Sequence, residues 1–155
     1  MLIRPFEAAD AEALATLFHA SVRKAGIREY SAEQVAAWSP SKPDAASYLR
    51  QAVGRTFLVA VDDENCPIGY GDLEPDGHID HLYCRPDLVG TGVGSAIYAA
   101  LEAAAKRAGI SLIFVDASEG ARRLFERHGF SVDARNVFAI GGVAIHNYRM
   151  SKPIK

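Results

Sequence analysis

Apolar residues recur at helical spacing in the early part of the chain and then give way to compact runs. "LIRPF" predicts a short first strand, confined to an edge or an end by Pro5, which has no N–H for a ladder. From Asp10 to about Arg23, residues Ala11, Leu14, Leu17, Phe18 and Val22 fall on one helical stripe, and Gly26 is expected to close that helix. Ser31 stands three residues before Gln34 in "SAEQVAAW", a capping-box pattern that predicts a second short helix. A third starts after Pro43 and runs through "DAASYLRQAV" to Gly54.

The period then changes. "TFLVAV" (Thr56–Val61) has the length of a strand and stops at the turn cluster Asp62-Asp63-Glu64-Asn65. "CPIGYGDLE" and "HIDHLYC" predict the next two strands, joined through Pro75-Asp76-Gly77. A long helix from roughly Gly92 to Ala108 puts Ile97, Leu101, Ala104 and Ala108 on one face, and Gly109 ends it. "SLIFVDA" reads as a short buried strand and "EGARRLFERH" as a helix ending at Gly129. "FSVDARNVFAI" and "VAIHNYRM" form a closing hairpin around Gly141-Gly142. The order predicts a mixed α/β fold in which an antiparallel meander feeds a crossover helix. No repeat or linker divides the chain, so residues 1–155 read as one domain.

Composition narrows the chemistry by exclusion. A content of 49% hydrophobic and 23% charged residues suits a globular chain with a sizeable core. A formal net charge of −2 leaves no basic excess for a nucleic-acid footprint. No apolar run has the length of a membrane span, and "MLIRPFEAADAE" is unlike a signal or transit peptide. A cytoplasmic setting, with neither nucleic acid nor membrane as partner, is therefore expected. Cys66 and Cys84 stand in no metal-ligand spacing with the histidines, so no metal is expected.

The informative stretch is "RPDLVGTGVGSAIYAALE", where Gly90, Gly92 and Gly94 alternate and then enter a helix. A helix N-terminus exposes unpaired N–H groups and about half a unit of positive charge, and glycines ahead of it admit an anion closely. Phosphate or pyrophosphate is the expected ligand. A P-loop requires Lys-Ser/Thr after its last glycine, yet Ser95-Ala96 follows Gly94. A dinucleotide fingerprint requires G-x-G-x-x-G between parallel strands, whereas G-x-G-x-G here follows a meander.

The segment "HIDHLYCRPDLVGTGVGSAIYAALEAAAKRAGI" resembles the signature of the GNAT superfamily, the acetyl-CoA-dependent N-acetyltransferases. That signature is a strand ending in an apolar-aromatic-apolar triplet, here Leu82-Tyr83-Cys84. Arg/Pro-type residues follow, and then Q/R-x-x-G-x-G/A opens a helix, with Gly92 and Gly94 at the glycine positions. Farther on, "EGARRLFERHGF" is similar to the family's A-x-x-F-Y-E-x-x-G-F helix. The diagnostic portion covers Ile79 to Phe130. The resemblance implies a mostly antiparallel twisted sheet of about six to seven strands, flanked by helices and splayed between the fourth and fifth strands. It also implies acetyl-CoA as co-substrate. The backbone of Val89, Gly90, Thr91, Gly92, Val93, Gly94 and Ser95 would hold the pyrophosphate, and Leu82, Tyr83 and Cys84 would pair with the pantetheine arm as a neighbouring strand does. A backbone N–H near Tyr83 or Cys84 would polarise the thioester carbonyl. Ser118 and Phe125 would lie by the thiol end.

Two residues depart from the family pattern. Val89 stands where Gln or Arg is usual, which removes a side-chain contact from a mostly main-chain site. Phe125 stands where many members carry the tyrosine that protonates the leaving thiolate. A coenzyme A thiol has a cysteine-like pKa and leaves without full protonation, and Tyr83, Ser118 or water are the alternatives for the acid. For the general base the candidates are Asp80, directly or through water, then His78, with His81 on the opposite strand face unless a bulge intervenes. His128 reads as a favourable charge at a helix C-terminus, and His146 and Asn147 as either acceptor-site or exposed strand residues. Trp38 and Tyr30 fall in the region that walls the acceptor pocket in this family, with Trp38 read first as a core residue, and Arg122 and Arg123 either reach phosphates or face solvent. The implied reaction is transfer of acetyl to a primary amine of a small molecule or peptide by direct attack in a ternary complex. An acyl-CoA-binding sensor without catalysis is the alternative that Val89 and Phe125 motivate. Dimers are common in the family, and the C-terminal hairpin offers a contact for a homodimer.

Overall fold

A computed structural model of residues 1–155 shows seven strands in one sheet. They are β1 (Leu2–Pro5), β2 (Thr56–Val61), β3 (Pro67–Leu73), β4 (His78–Cys84), β5 (Leu112–Ala117), β6 (Ser131–Ile140) and β7 (Val143–Pro153). Their order across the sheet is β1-β2-β3-β4-β5-β7-β6. Every pairing is antiparallel except β4 with β5, as the long crossover between those two strands requires. The mixed architecture predicted from the pattern is the one observed.

Strand alternation divides the core. Phe57, Val59, Val61 and Tyr70 pack under α1 (Ala11–Ala20) and α3 (Ala45–Gln51). The alternate residues Ala60, Leu73, Ile79, Ile113 and Val115 pack under α4 (Val93–Arg107) and α5 (Glu119–Arg127), joined by Ile68 where the β2–β3 register shifts. A smaller cluster of Val22, Tyr30, Val35 and Ile145 seats α2 (Ala32–Trp38) beside β7. Close approach of α4 to β3 depends on two glycines: a Cβ on Gly69 or Gly71 would lie 2.8 Å from Ile97. Period-2 burial on both sheet faces, with helices covering each, is what the apolar runs demand.

Three element ends differ from the sequence expectation. The first helix does not stop at Gly26, whose φ is −62°. The chain passes from α1 through a π-type turn (Ser21–Ala25) and a 3-10 turn (Gly26–Arg28). Tertiary bonds hold that irregular stretch: Arg23 Nε donates to the Ser39 carbonyl at 2.8 Å, and His19 Nδ1 lies 2.6 Å from Ser39 Oγ. Helix α3 ends at Gln51, ahead of Gly54. Strand β7 continues past Met150 to Pro153, because β5 pairs with it as far as Leu112 opposite Pro153.

The parallel pairing of β4 and β5 consists of His78 opposite Phe114 and Ile79 opposite Val115. Beyond Ile79 the two strands part. The cause lies in β4, where Gly71 opposes Leu82 and Leu73 opposes Ile79, so Asp80 and His81 together face Asp72. That extra residue is a β-bulge, which bends the strand and raises its twist. The Asp72 carboxylate fills the broken rung by accepting the His81 backbone N–H at 2.7 Å.

Candidate active site

The splay opens a cleft of about 210 Å³. Leu82, Tyr83 and Asp80 line it from β4, Val115, Asp116 and Ala117 from β5, and Ser118, Ala121 and Phe125 from the end of β5 and α5. Tyr30 and Trp38 close one side, and Phe138, Ile140, Ile145, His146 and Asn147 come from the β6–β7 hairpin. Most of the wall is apolar or aromatic.

Strand β4, which lines this cleft, leads along the chain into the glycine loop. Arg85 N–H donates to Ile68 O on β3 at 2.8 Å. Alternation therefore turns the Tyr83 N–H to β3 as well, and the Leu82 and Cys84 N–H groups toward the splay, where β5 supplies no partner. Gly90 and Gly92 have φ of 82° and 99°, and a Cβ on either would meet nothing within 4 Å. These two glycines bend the chain into α4 and leave open space above it. The N–H groups of Gly90, Gly92, Val93, Gly94 and Ser95 donate to no protein acceptor, whereas Thr91 N–H is satisfied by Leu88 O. Gly94 has another reason to be glycine: a Cβ there would sit 2.8 Å from Leu124 Cδ1, so it admits α5 against α4. Val89 is exposed beside the loop, and the Thr91 hydroxyl donates back to Leu88 O.

His128 is not a helix-end charge. Burial, together with Lys152 and Arg127, pushes its imidazole below the usual range, and Nε2 lies 3.1 Å from Ser95 Oγ. It ties the end of α5 to the first turn of α4 as a neutral group. Arg122 and Arg123 make ion pairs within the protein, with Glu119 at 3.2 Å and Glu29 at 3.5 Å respectively.

The catalytic candidates on β4 sit in a charge network. Asp72 is fully buried and accepts from Arg55 Nη1 at 2.8 Å, Gln51 Nε2 at 2.9 Å and the His81 backbone. Burial alone would raise its carboxyl, but the His81, Gln51 and Arg55 contacts outweigh it and hold the group below the ordinary range. The same Arg55 nitrogen reaches Asp80 Oδ2 at 2.9 Å. Because of the bulge, His81 shares the Asp72–Asp80 side of the sheet, its Nδ1 accepting from Gln51 at 2.6 Å. His78 lies outside the cleft, 2.8 Å from Glu74 and stacked on Phe114. Asp72, Asp80 and His81, and likewise Glu74, His78 and Asp80, bring ligand-type atoms within 4.8 Å of one another. The Arg55 guanidinium stands among those carboxylates and supplies the countercharge.

Tyr83 lies edge-on to Phe18, and burial pushes its phenol well up, so it keeps its proton. Ser118 caps α5, its hydroxyl accepting Ala121 N–H at 3.2 Å while its own proton remains free toward the cleft. Phe125 is 1% exposed, packed edge-on against Tyr98 and Phe130, and presents only carbon to the cleft. Cys84 stays outside the lining, and burial raises its thiol. On the far wall, His146 Nε2 lies 2.7 Å from Glu119 Oε2. Tyr30 joins that pair, donating to His146 O at 2.9 Å and accepting Glu119 N–H at 2.8 Å. Arg55 lies within no motif, and Glu119, although it opens the "EGARRLFERHGF" stretch, stands outside the positions that define that motif.

Comparison with known proteins agrees with this arrangement. The acetyltransferase (GNAT) domain model matches residues 27–152. An uncharacterized N-acetyltransferase of Escherichia coli K12, YafP, is 28% identical over 97% of this chain and 95% of its own length. The crystal structure of a GCN5-related N-acetyltransferase from Rhodopseudomonas palustris is 35% identical, covers 99% of this chain and 95% of that one, and superposes with a TM-score of 0.89. The PaiA N-acetyltransferase of Thermoplasma acidophilum, solved in complex with coenzyme A, has a TM-score of 0.81 at 20% identity, over 99% of this chain and 98% of its own. The chain belongs to the GNAT acetyltransferase family and is an acyltransferase of that type. No helix is long and apolar enough to cross a membrane.

Proposed function

We propose that this GNAT acetyltransferase moves the acetyl group of acetyl-CoA to a primary amine of a small molecule or peptide, by direct attack within a ternary complex. The observation that carries the reading is continuous backbone: an unpaired β4 edge leads straight into the unpaired N–H groups of Gly90 and of Gly92 to Ser95. An extended pantetheine arm adds to that edge as a strand, and its pyrophosphate meets the N-terminus of α4. The coenzyme A in the Thermoplasma structure is consistent with the same use of the fold.

The thioester end then lies in the splay. The Leu82 N–H, next to the bulge, points into it and is placed to polarise the thioester carbonyl, a task given to a fixed dipole that needs no reorganisation. Asp80, bonded to Arg55, faces the cleft and draws in the ammonium form of the acceptor. Direct attack is supported by the position of Cys84, the β4 thiol, outside the cleft lining. Phe125 offers no proton to the sulfur, so the leaving thiolate takes one from the nitrogen or from water.

The first test is thermal denaturation with acetyl-CoA, coenzyme A and ATP. A ligand at a hundred times its Kd stabilises by about 2.7 kcal/mol, which for a chain of this size is roughly 5–10 °C. Both coenzyme A forms should stabilise and ATP should not. Thiol release from acetyl-CoA across a panel of amines completes the test. Absence of stabilisation at millimolar acetyl-CoA refutes the reading, and stabilisation without turnover of any amine replaces it with a binding module.

A further inference from the structure

The proposed acetyl transfer requires a group that takes the amine proton, and β4 does not supply one freely. Asp80 is occupied by Arg55, and His78 lies outside the cleft. The opposite wall holds a group with the right chemistry. His146 lines the cleft from β7 with its side chain 19% exposed. Its Nε2 lies 2.7 Å from the Glu119 carboxylate, which only accepts, so Nε2 carries the proton and Nδ1 is left as the lone pair. Nδ1 has no hydrogen-bond partner in the protein. Glu119 is fixed in turn: Arg122 holds its other oxygen at 3.2 Å, and its backbone N–H is bonded to the Tyr30 hydroxyl. Tyr30 also accepts the imidazole against its ring, at 5.2 Å between centroids, and bonds the His146 carbonyl. A carboxylate that orients an imidazole and fixes its tautomer, with the second nitrogen unpartnered on a residue that lines a cavity, is the general-base arrangement.

We propose that His146, oriented by Glu119, is the catalytic base that removes the proton from the acceptor ammonium. This rests on the acetyl transfer described above. One ammonium N–H bond breaks toward Nδ1, and the freed lone pair forms the C–N bond at the thioester carbon. The C–S pair leaves with the coenzyme A sulfur, which takes up the second nitrogen proton directly or through water. The products are the amide, the free thiol and imidazolium, which returns its proton to solvent. Glu119 does not touch the reacting atoms and is a positioning residue. The charged and titratable groups around the imidazole are Glu119 and Arg122 from α5, Glu29 and Tyr30 ahead of α2, Tyr148 on its own strand, and Asp80 and Asp116 across the cleft.

The experiment compares the full-length protein with His146→Gln, His146→Ala and Glu119→Gln, on an amine that the wild type turns over. His146→Gln is expected to lose about 10²-fold in kcat, with the KM for acetyl-CoA and the stabilisation by acetyl-CoA unchanged. The rise of kcat/KM with pH that a histidine base predicts for the wild type should be absent in the same variant. Imidazole added to His146→Ala should restore part of the rate, which a structural role would not allow. Glu119→Gln should retain binding, lose about tenfold in kcat and alter the pH profile. Wild-type kcat and an unchanged pH profile in His146→Gln overturn the proposal while leaving acetyl transfer standing. A wild type that binds acetyl-CoA but turns over no amine overturns both.

Discussion

Arg55→Met isolates the charge network beneath the cleft. Arg55 is the only arginine or lysine within ion-pair distance of Asp72, a carboxylate with no exposed surface, and their atoms are 2.8 Å apart. Removing one partner of a buried ion pair costs about 3–5 kcal/mol, most of it from the charge left behind. Two features reduce that figure here. Arg55 keeps 18% of its side chain in solvent, and Asp72 retains the Gln51 and His81 donors at 2.9 and 2.7 Å. The expected loss is therefore about 2–3 kcal/mol, a fall in Tm of roughly 5–10 °C. The Asp72 carboxyl sits below its ordinary value in the folded state, so its contribution is present above the unfolded pKa of about 3.9 and is lost as pH falls through the folded value. The gap between wild type and variant should accordingly narrow below about pH 4. Urea denaturation of Arg55→Met, Asp72→Asn and the double variant measures the coupling, expected at about 1–3 kcal/mol in favour of the double variant. A single variant within 0.5 kcal/mol of wild type, or simple additivity of the two changes, refutes the argument.

Gly69→Ala should cost about 1–3 kcal/mol, read as a lower urea midpoint at unchanged slope. Its new Cβ would meet Ile97 at 2.8 Å and the Tyr83 carbonyl at 3.0 Å, and a backbone oxygen cannot rotate away. Phe125→Tyr restores the phenol many relatives use and should raise kcat about tenfold, near the low end for general acids because a thiolate already leaves well. Steady-state rates on a turned-over amine check it, and an unchanged rate in a folded variant shows that sulfur protonation does not limit the reaction.

Whatever the chain encodes within a few tens of residues was legible. The order of elements along the chain, the crossover helix and the glycine loop follow from period, turn residues and spacing, and each stands in the fold. The loop was legible in outline only. Gly90 and Gly92 have the positive φ and the open space expected of a ligand loop, whereas Gly94 is glycine because Leu124 packs on it, a contact made by a helix thirty residues away. The same limit hid the end of the first helix, where Arg23 is held by carbonyls at Ser39 and Pro40 rather than by anything near Gly26.

The proton chemistry was not legible, and the reason is one rung of the ladder. Alternation along "HIDHLYC" assigns His81 to the face opposite Asp80, and the bulge reverses that assignment by setting both residues against Asp72. Asp72 can occupy the broken rung only because its carboxylate accepts the His81 N–H, and a carboxylate buried there requires a cation, which Arg55 provides. Once in place, Arg55 also takes the nearest oxygen of Asp80. The distortion that opens the splay for a thioester thus converts the β4 carboxylate from a free base into half of an ion pair. A free nitrogen lone pair beside the same space then has to be sought on another element, and its proposed place is the β7 imidazole, which lines the cleft and is braced by Glu119.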